Sequence, residues 1–284
     1  MRKVILILSL ITYHLSLCSA QQNSGFTNKS EAKNLVKDSL KEGKWLEYMD
    51  IEGFTSDNVT KDSSSQYYRL TEYVHGKPVG IMRWYYHSGK LAREATIAND
   101  KLNGTAREYY ENGKTMWEAK YVNDSVDGML QAYYEDGKIK TQTPYMHGKI
   151  NGMRKEYYEN GKVERENLYK NNVLTGIVKG YYEDGKTSVE VPYTAGKRNG
   201  LGKTYYEDGK LKTETTYGND KENGVYKEYY ESGKIHWEIP KTDGIASGVE
   251  KEYYENGKLK TQITYTTGQP AVIKRFDEKG SPVN

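Results

Sequence analysis

The sequence has little of what builds an ordinary globular core. In 284 residues it has one cysteine, three phenylalanines and six prolines, and its mean hydropathy is −0.91. Charge of one sign is also scarce: the formal net charge is +3, which excludes the basic footprint of a nucleic-acid-binding protein. What the chain has in quantity is tyrosine and glycine, 28 of each. Because tyrosine buries area while keeping its hydroxyl hydrogen-bonded, this composition predicts a thin, ordered, surface-rich architecture.

The first twenty residues have the pattern of a secretory signal peptide. Arg2 and Lys3 precede an apolar stretch from Val4 to Leu17, and small residues lead up to a cleavage site after Ala20. Such cleavage would remove the only cysteine, Cys18, and so exclude disulfides and thiol chemistry from the mature chain. Two alternatives stay open, an uncleaved membrane anchor and a lipobox in which Cys18 is lipidated. The expected location is the periplasm or the cell surface.

A repeat of 24 residues dominates the rest of the chain. Each unit contains a Tyr-Tyr pair, a glycine three residues after that pair, a later single tyrosine in most units, and a second glycine. The pairs lie at 85/86, 109/110, 133/134, 157/158, 181/182, 205/206, 229/230 and 253/254. The second glycines lie at 80, 104, 128, 152, 176, 200, 224 and 248, so every step is the same length.

The repeat degenerates at both ends, as the terminal units of a stacked array do. Residues 43–72 are predicted to be a degenerate first repeat, interrupted by a polar insertion from about Thr55 to Gln66. Residues 73–284 are predicted to hold eight units followed by a degenerate C-terminal cap. Residues 21–42 lack the repeat, and we expect a tether or a short amphipathic helix that begins near Ser30.

Each unit is predicted to be a β-hairpin. Turn sequences such as Glu-Asn-Gly-Lys at 255–258 tolerate positive φ, and the residues after them alternate between an apolar and a polar side. A two-residue turn would place Tyr254 opposite Leu259 on a buried side and Tyr253 beside Lys260 on the other; a longer turn would reverse this. The fold class is therefore all-β, an elongated, twisted antiparallel sheet of roughly 80 Å for eight units.

The first tyrosine of each pair and a column of basic residues form the candidate binding surface. The basic residue stands three positions after the second glycine, which gives it the same orientation as the first tyrosine. Exposed aromatic and cationic groups suit sugars or acidic protein segments, and weak contacts add along a long partner. Packing across strands is the alternative role. The candidate residues are Tyr85, Tyr109, Tyr133, Tyr157, Tyr181, Tyr205, Tyr229, Tyr253, Lys155, Lys179, Lys203, Lys227 and Lys251.

Catalytic and metal-binding patterns are not recognisable in the sequence. His75, His87, His147 and His236 fall at different places in different units and lack metal-ligand spacing. Glutamates before the turns recur with a lysine three residues later, which is typical of solvated charge pairs and not of a singular catalytic site. We expect no enzymatic activity, no metal and no cofactor.

One family resemblance covers about residues 70 to 284. Tyr-Tyr-Glu-Asp-Gly-Lys, followed by a single Tyr and then Asn-Gly at 205–224, resembles the MORN-repeat variant, and more specifically the YwqK-like antitoxin family in an exported bacterial form. The resemblance implies a run of β-hairpins used for protein–protein or membrane-lipid contacts, with no catalytic residues. The antitoxin members imply a cytoplasmic partner, whereas this chain begins with a predicted export signal.

The leading hypothesis is a non-catalytic exported scaffold that binds another envelope or surface protein. One alternative is a glycan- or cell-wall-binding module, because Arg83-Trp84-Tyr85-Tyr86 is similar to the Trp-Tyr-Tyr of choline- and glucan-binding repeats. Binding of lipid head groups through the basic column is another, although the near-neutral charge makes that attraction weak. Two further alternatives are a toxin-neutralising protein and a simple spacer.

Overall fold

The computed structural model describes residues 26–49, 67–266 and 268–283. In these ranges the chain forms one antiparallel sheet of 26 strands, preceded by a single turn of 3-10 helix at Lys29–Glu31 and containing no α-helix. The predicted all-β sheet of tandem hairpins is confirmed. The predicted signal peptide and the polar insertion near residues 55–66 lie outside the described residues.

The strands follow one another closely along the chain. They are Leu35–Lys37 (β1), Leu40–Met49 (β2), Tyr67–Val74 (β3), Lys77–Tyr86 (β4), Leu91–Ala98 (β5), Lys101–Tyr109 (β6), Thr115–Val122 (β7), Ser125–Val126 (β8), Gly128–Tyr133 (β9), Ile139–Met146 (β10), Lys149–Ile150 (β11), Gly152–Tyr157 (β12), Val163–Lys170 (β13), Val173–Tyr181 (β14), Thr187–Thr194 (β15), Lys197–Arg198 (β16), Gly200–Tyr205 (β17), Leu211–Gly218 (β18), Lys221–Glu222 (β19), Gly224–Tyr229 (β20), Ile235–Thr242 (β21), Ile245–Ala246 (β22), Gly248–Tyr253 (β23), Leu259–Thr266 (β24), Gln269–Phe276 (β25) and Pro282–Val283 (β26). The two-residue strands β8, β11, β16, β19 and β22 each pair with the strand before them, and the strand that follows each of them pairs with that same strand after a bulge. The other strands pair with their neighbours in sequence, so the sheet grows by one hairpin every 24 residues.

The two ends of each hairpin are closed by different turns. At the Tyr-Tyr end the loop has three residues: the Tyr110 N–H donates to the Lys114 carbonyl at 2.9 Å, and Gly113 has a φ of 86°. This is the hairpin loop in which a tight turn is followed by a left-handed glycine. At the other end Asn123 and Asp124 both have positive φ, 49° and 68°, as a two-residue hairpin loop requires.

The three-residue loop corrects the predicted register. Tyr253 lies opposite Leu259, after a β-bulge at Glu252 and Tyr253, so the first tyrosine of the pair faces the leucine. Lys260 lies over the ring of the second tyrosine, Tyr254, with 5.8 Å between ammonium and ring centre. Of the two registers that the sequence left open, the one with a two-residue turn, which paired Tyr254 with Leu259 and Tyr253 with Lys260, is wrong, and the longer turn that reverses this pairing is the one found.

The two faces of the sheet differ in character. One face, here called the ladder face, carries the first tyrosines and the basic column. The opposite core face carries a row of small buried side chains, which includes Ala95, Ala106 and Ala119. Tyrosines of the single-Tyr column close over this row: a Cβ added at Gly202 would lie 2.9 Å from the ring of Tyr217. The core is therefore one side chain deep.

The N-terminal segment caps the first hairpins on the ladder face. Phe26 is only 4% exposed and packs with Leu70 and Tyr85, and the Tyr85 hydroxyl lies 3.4 Å from the Thr27 carbonyl oxygen that accepts its hydrogen bond. Leu70 lies opposite Arg83, at the position that a carboxylate or amide occupies in later units. The first unit thus replaces a polar contact with an apolar one that Phe26 covers.

The alternative of a short helix beginning near Ser30 was wrong. Beyond the single 3-10 turn, β1 pairs with β2 through a two-residue loop at Asp38 and Ser39. Both of these residues, and Asn34 before β1, have positive φ, which breaks a helical path. At the other end of the sheet, Phe276 in β25 takes the place of the first tyrosine in a degenerate last hairpin.

The second tyrosine of each pair ties its hairpin to the next one. Its hydroxyl donates to the backbone carbonyl of the following first tyrosine, at distances between 2.5 and 2.9 Å. In the last described unit Phe276 supplies that carbonyl. These bonds join neighbouring units of an array that depends on nearest-neighbour contacts.

Removing three of these hydroxyls is expected to destabilise the sheet. The combined variant Tyr110→Phe, Tyr134→Phe and Tyr230→Phe should lose about 3 kcal/mol in the free energy of unfolding, near 1 kcal/mol for each hydrogen bond. Urea unfolding followed by circular dichroism measures this loss. The matched control changes Tyr121, Tyr145 and Tyr169 to Phe, since these hydroxyls make no hydrogen bond within the described residues. An equal loss in the control would contradict the role given to the second tyrosines.

Candidate functional site

The structure places the predicted tyrosines and basic residues on one face, with a column of carboxylates between them. Arg107 and Tyr109 show the arrangement, since both contact Glu94, at 3.3 and 2.8 Å. Each carboxylate or amide of this column lies on the strand between two basic or amide residues, as Glu190 lies between Lys179 and Lys203. The result is a charge row that crosses the sheet from hairpin to hairpin.

The hydroxyls of the first tyrosines are occupied inside this row. From Tyr109 onward, each donates to the side chain fifteen residues before it, at 2.7 to 3.1 Å. The pairs are Tyr109 with Glu94, Tyr133 with Glu118, Tyr157 with Gln142, Tyr181 with Glu166, Tyr205 with Glu190, Tyr229 with Glu214 and Tyr253 with Glu238. Burial and then the bond to the carboxylate raise the pKa of Tyr109, Tyr133, Tyr181, Tyr229 and Tyr253 to about 12. These hydroxyls therefore stabilise the sheet.

The lysines of the candidate surface are likewise largely paired. Lys155 lies 2.9 Å from Glu166, and this hydrogen bond raises the pKa of Lys155 and lowers that of Glu166. Lys179 and Lys227 lie 3.5 and 3.4 Å from the carboxylates of Glu190 and Glu214. Lys203 and Lys251 occupy the same row, each between two strands that carry a carboxylate or an amide. The row is close to neutral overall, so it offers little attraction to an anionic surface.

An exposed apolar row runs beside the charge row on the same face, and the sequence interpretation missed it. It is built by the residue that directly follows each second glycine. Five of these side chains, 39 to 50% exposed, are Met129, Met153, Ile177, Leu201 and Val225. Their cross-strand partners Pro144, Leu168, Pro192 and Pro240 extend the row. The residue after the glycine is apolar in seven of eight units, which could have revealed the row.

The second glycines hold the backbone beside this row. Gly152 and Gly200 have φ of 123° and 117°, a region that favours glycine. A Cβ at Gly152 would lie 3.0 Å from the ring of Pro144, and one at Gly200 would lie 2.9 Å from that of Pro192. Glycine at these positions therefore permits the bulged strand to approach the proline that borders the apolar row.

The described ranges hold no group of three histidine, cysteine, aspartate or glutamate side chains placed to bind a metal ion. His147 lies 3.3 Å from Asp127, and His236 lies between two carboxylates, 3.3 Å from Glu228 and 3.8 Å from Glu252. The same ranges contain no helical segment with the length and hydrophobicity that crossing a bilayer requires.

The repeat architecture has a counterpart among known families. The profile described as "MORN repeat variant" matches residues 78–99, 102–123, 126–147, 150–171, 174–195, 198–219, 222–239 and 246–266. The chain belongs to the MORN repeat variant family. MORN repeats are generally modules for protein or membrane interaction, and such all-β repeat folds are generally non-catalytic. A comparison with curated proteins finds no match.

Proposed function

We propose that this MORN repeat variant protein is a non-catalytic, exported scaffold whose ladder face binds another protein of the envelope or cell surface. The observation that carries the proposal is the exposed apolar row beside the neutralised charge row. Soluble monomers rarely leave a contiguous apolar strip uncovered, and such strips mark interaction sites. Export is supported by the charged and apolar pattern of residues 1–20.

The chemistry of the ladder face favours a protein over the other partner classes. An apolar strip bordered by paired charges and tyrosines has the composition of a protein interface, with an apolar centre and a polar rim. A lipid surface would be attracted by unpaired lysines, whereas Lys155, Lys179 and Lys227 already contact carboxylates. Because the row recurs about every 10 Å along the array, a long partner gains several weak contacts at once.

Capture from the source cell tests this function. Purified residues 21–284 should retain one protein from solubilised envelope, identified by mass spectrometry. The variant Met153→Ser, Ile177→Ser and Leu201→Ser should lose at least about tenfold in affinity for it, since three central apolar contacts are removed. Its β signal in circular dichroism should be unchanged because all three side chains point to solvent.

The matched control replaces three apolar residues of similar or greater exposure outside the row, Val122, Val173 and Ile245, with serine. This control should bind like the unchanged protein. Equal loss in both variants, or retention of polysaccharide or lipid in place of a protein, would contradict the proposed function. Capture of a cytoplasmic toxin alone would favour the antitoxin alternative.

A further inference from the structure

Two adjoining cavities lie along the edge of the sheet formed by the three-residue loops. One has a volume of about 510 Å³ and the other about 460 Å³. They share Tyr182 and Glu207, so they form one groove. Its lining includes the rings of Tyr158, Tyr182 and Tyr206 and the carboxylates of Glu183 and Glu207. We call this the tip groove.

The aromatic walls of the tip groove are fixed by the bonds between hairpins. The hydroxyls of Tyr158, Tyr182 and Tyr206 donate to the carbonyls of the next first tyrosines at 2.6, 2.5 and 2.6 Å. Because each hydroxyl is held, each ring keeps its orientation. The groove thus presents preformed aromatic faces, which lowers the entropic cost of binding.

At three of the second tyrosines the protein supplies its own cation to the ring. A lysine six residues further along lies over the ring: Lys140 over Tyr134 at 5.5 Å, Lys212 over Tyr206 at 5.3 Å, and Lys260 over Tyr254 at 5.8 Å.

The corresponding residues after Tyr158 and Tyr182 are Glu164 and Ser188. The rings of Tyr158 and Tyr182 therefore lack the lysine that covers Tyr134, Tyr206 and Tyr254, and the cavities lie against them.

The carboxylates of the tip groove are unequally neutralised. Asp184 and Asp208 pair with Lys186 and Lys210 in their own turns, at 2.8 and 2.9 Å. The same ammonium of Lys186 also donates to the backbone carbonyl of Glu207 at 2.8 Å. The side-chain carboxylates of Glu183 and Glu207 make no ion pair in the described part of the chain.

The local field of this edge agrees with an excess of negative charge. Burial, and then the carboxylates of Glu164 and Glu183, raise the pKa of Tyr158, although Arg165 opposes them. Burial, and then Glu228 and Glu231, raise the pKa of Tyr206. The groove therefore combines uncovered aromatic faces with carboxylates, the chemistry that holds lysine and arginine side chains.

We propose that the tip groove binds a basic segment of a partner protein, with lysine or arginine side chains on the faces of Tyr158 and Tyr182 and ion pairs to Glu183 and Glu207. Successive hairpins are spaced by about 10 Å, twice the strand separation. A polyproline II segment rises about 3.1 Å per residue with three residues per turn, so a basic residue at every third position matches this spacing. This site is separate from the apolar row and does not depend on it.

A labelled peptide of four Lys-Pro-Pro units is the probe, and fluorescence anisotropy with the whole protein measures its binding. Ser188→Lys should place a lysine on Tyr182 as Lys212 lies on Tyr206, and so weaken binding about tenfold. Glu207→Gln should weaken binding to a similar degree. Lys212→Ser should strengthen it by uncovering Tyr206. Ser125→Lys, which adds the same charge at the exposed start of β8, at the opposite end of the hairpins, should leave binding unchanged.

Three results would overturn the proposal: no binding of the peptide to the unchanged protein, equal loss with Ser188→Lys and Ser125→Lys, or equal binding of a Glu-Pro-Pro peptide. Equal loss in the two lysine variants would indicate general electrostatics only. If Ser188→Lys lost its β signal, Glu207→Gln would decide, and unchanged affinity in that variant would refute the site. Because the Met153, Ile177 and Leu201 serine variant keeps the groove, it should bind the peptide normally, so failure of the ladder-face function is distinguishable.

Discussion

Gly200→Ala is expected to lower the free energy of unfolding by about 4 kcal/mol, about twice the loss expected for Gly128→Ala. Both glycines have nearly the same φ, 117° and 116°, so both alanine variants incur the same backbone strain. At Gly200 the added Cβ would also lie 2.9 Å from the ring of Pro192, whereas at Gly128 no atom lies within 4 Å. The difference between the variants therefore isolates the clash with proline.

Urea unfolding of the two variants, followed by circular dichroism, measures this difference. A third variant, Gly152→Ala, should resemble Gly200→Ala because its Cβ would lie 3.0 Å from Pro144. Equal destabilisation of Gly128→Ala and Gly200→Ala would mean that backbone conformation alone requires glycine. The close approach of these glycines to the prolines that border the apolar row would then make no contribution to stability.

The second large effect is a loss of stability in alkali. Tyr109, Tyr133, Tyr181, Tyr229 and Tyr253 have pKa values of about 12 in the folded chain, against an ordinary value near 10. Below about pH 10 both the folded and unfolded states keep these protons, so their contribution to stability is fully present. Between about pH 10 and 12 only the unfolded chain ionises, and stability falls as pH rises through the folded pKa. We expect cooperative unfolding in this window.

Circular dichroism and tyrosinate absorbance, recorded together from about pH 8 to 12, check the expectation. Loss of β signal and appearance of tyrosinate should coincide. The variant Tyr133→Phe, Tyr181→Phe and Tyr229→Phe removes three titrating groups, so its stability should depend less steeply on pH above 10. Gradual tyrosinate formation near pH 10 with the β signal intact would show that the hydroxyls are not held by the carboxylates.

The fold could be predicted because its strongest determinants are local and repeated. The exact 24-residue step and the alternating strands fix hairpins without knowledge of distant contacts. The register could not be predicted with the same security, since Glu-Asn-Gly-Lys suits both two- and three-residue loops. The side chain of Asn112 accepts the Lys114 N–H at 2.9 Å within the longer loop, a contact the sequence does not announce.

The candidate surface could be predicted only in part, because only its local determinants can be read from the sequence. Orientation along a strand follows from alternation, so the first tyrosines and the basic column were assigned to one face. The hydrogen-bond partners of these tyrosines were not predicted, because a partner such as Glu166, which accepts from Tyr181, lies on the neighbouring hairpin. The exposure of Ile177 depends on whether another part of the chain packs on this face of the sheet, and the local sequence pattern does not give that information. The tip groove likewise emerges only when Ser188 is compared with Lys212 in the folded array.

Site-specific photo-cross-linking tests whether the apolar row of the ladder face binds a protein. A photoreactive phenylalanine analogue would be placed at Ile177 in the row, or at Thr141 on the core face, and the protein exposed to its native envelope. We expect a discrete protein adduct at Ile177 and none at Thr141. An adduct at Thr141 alone, equal adducts at both positions, or none at either would contradict it.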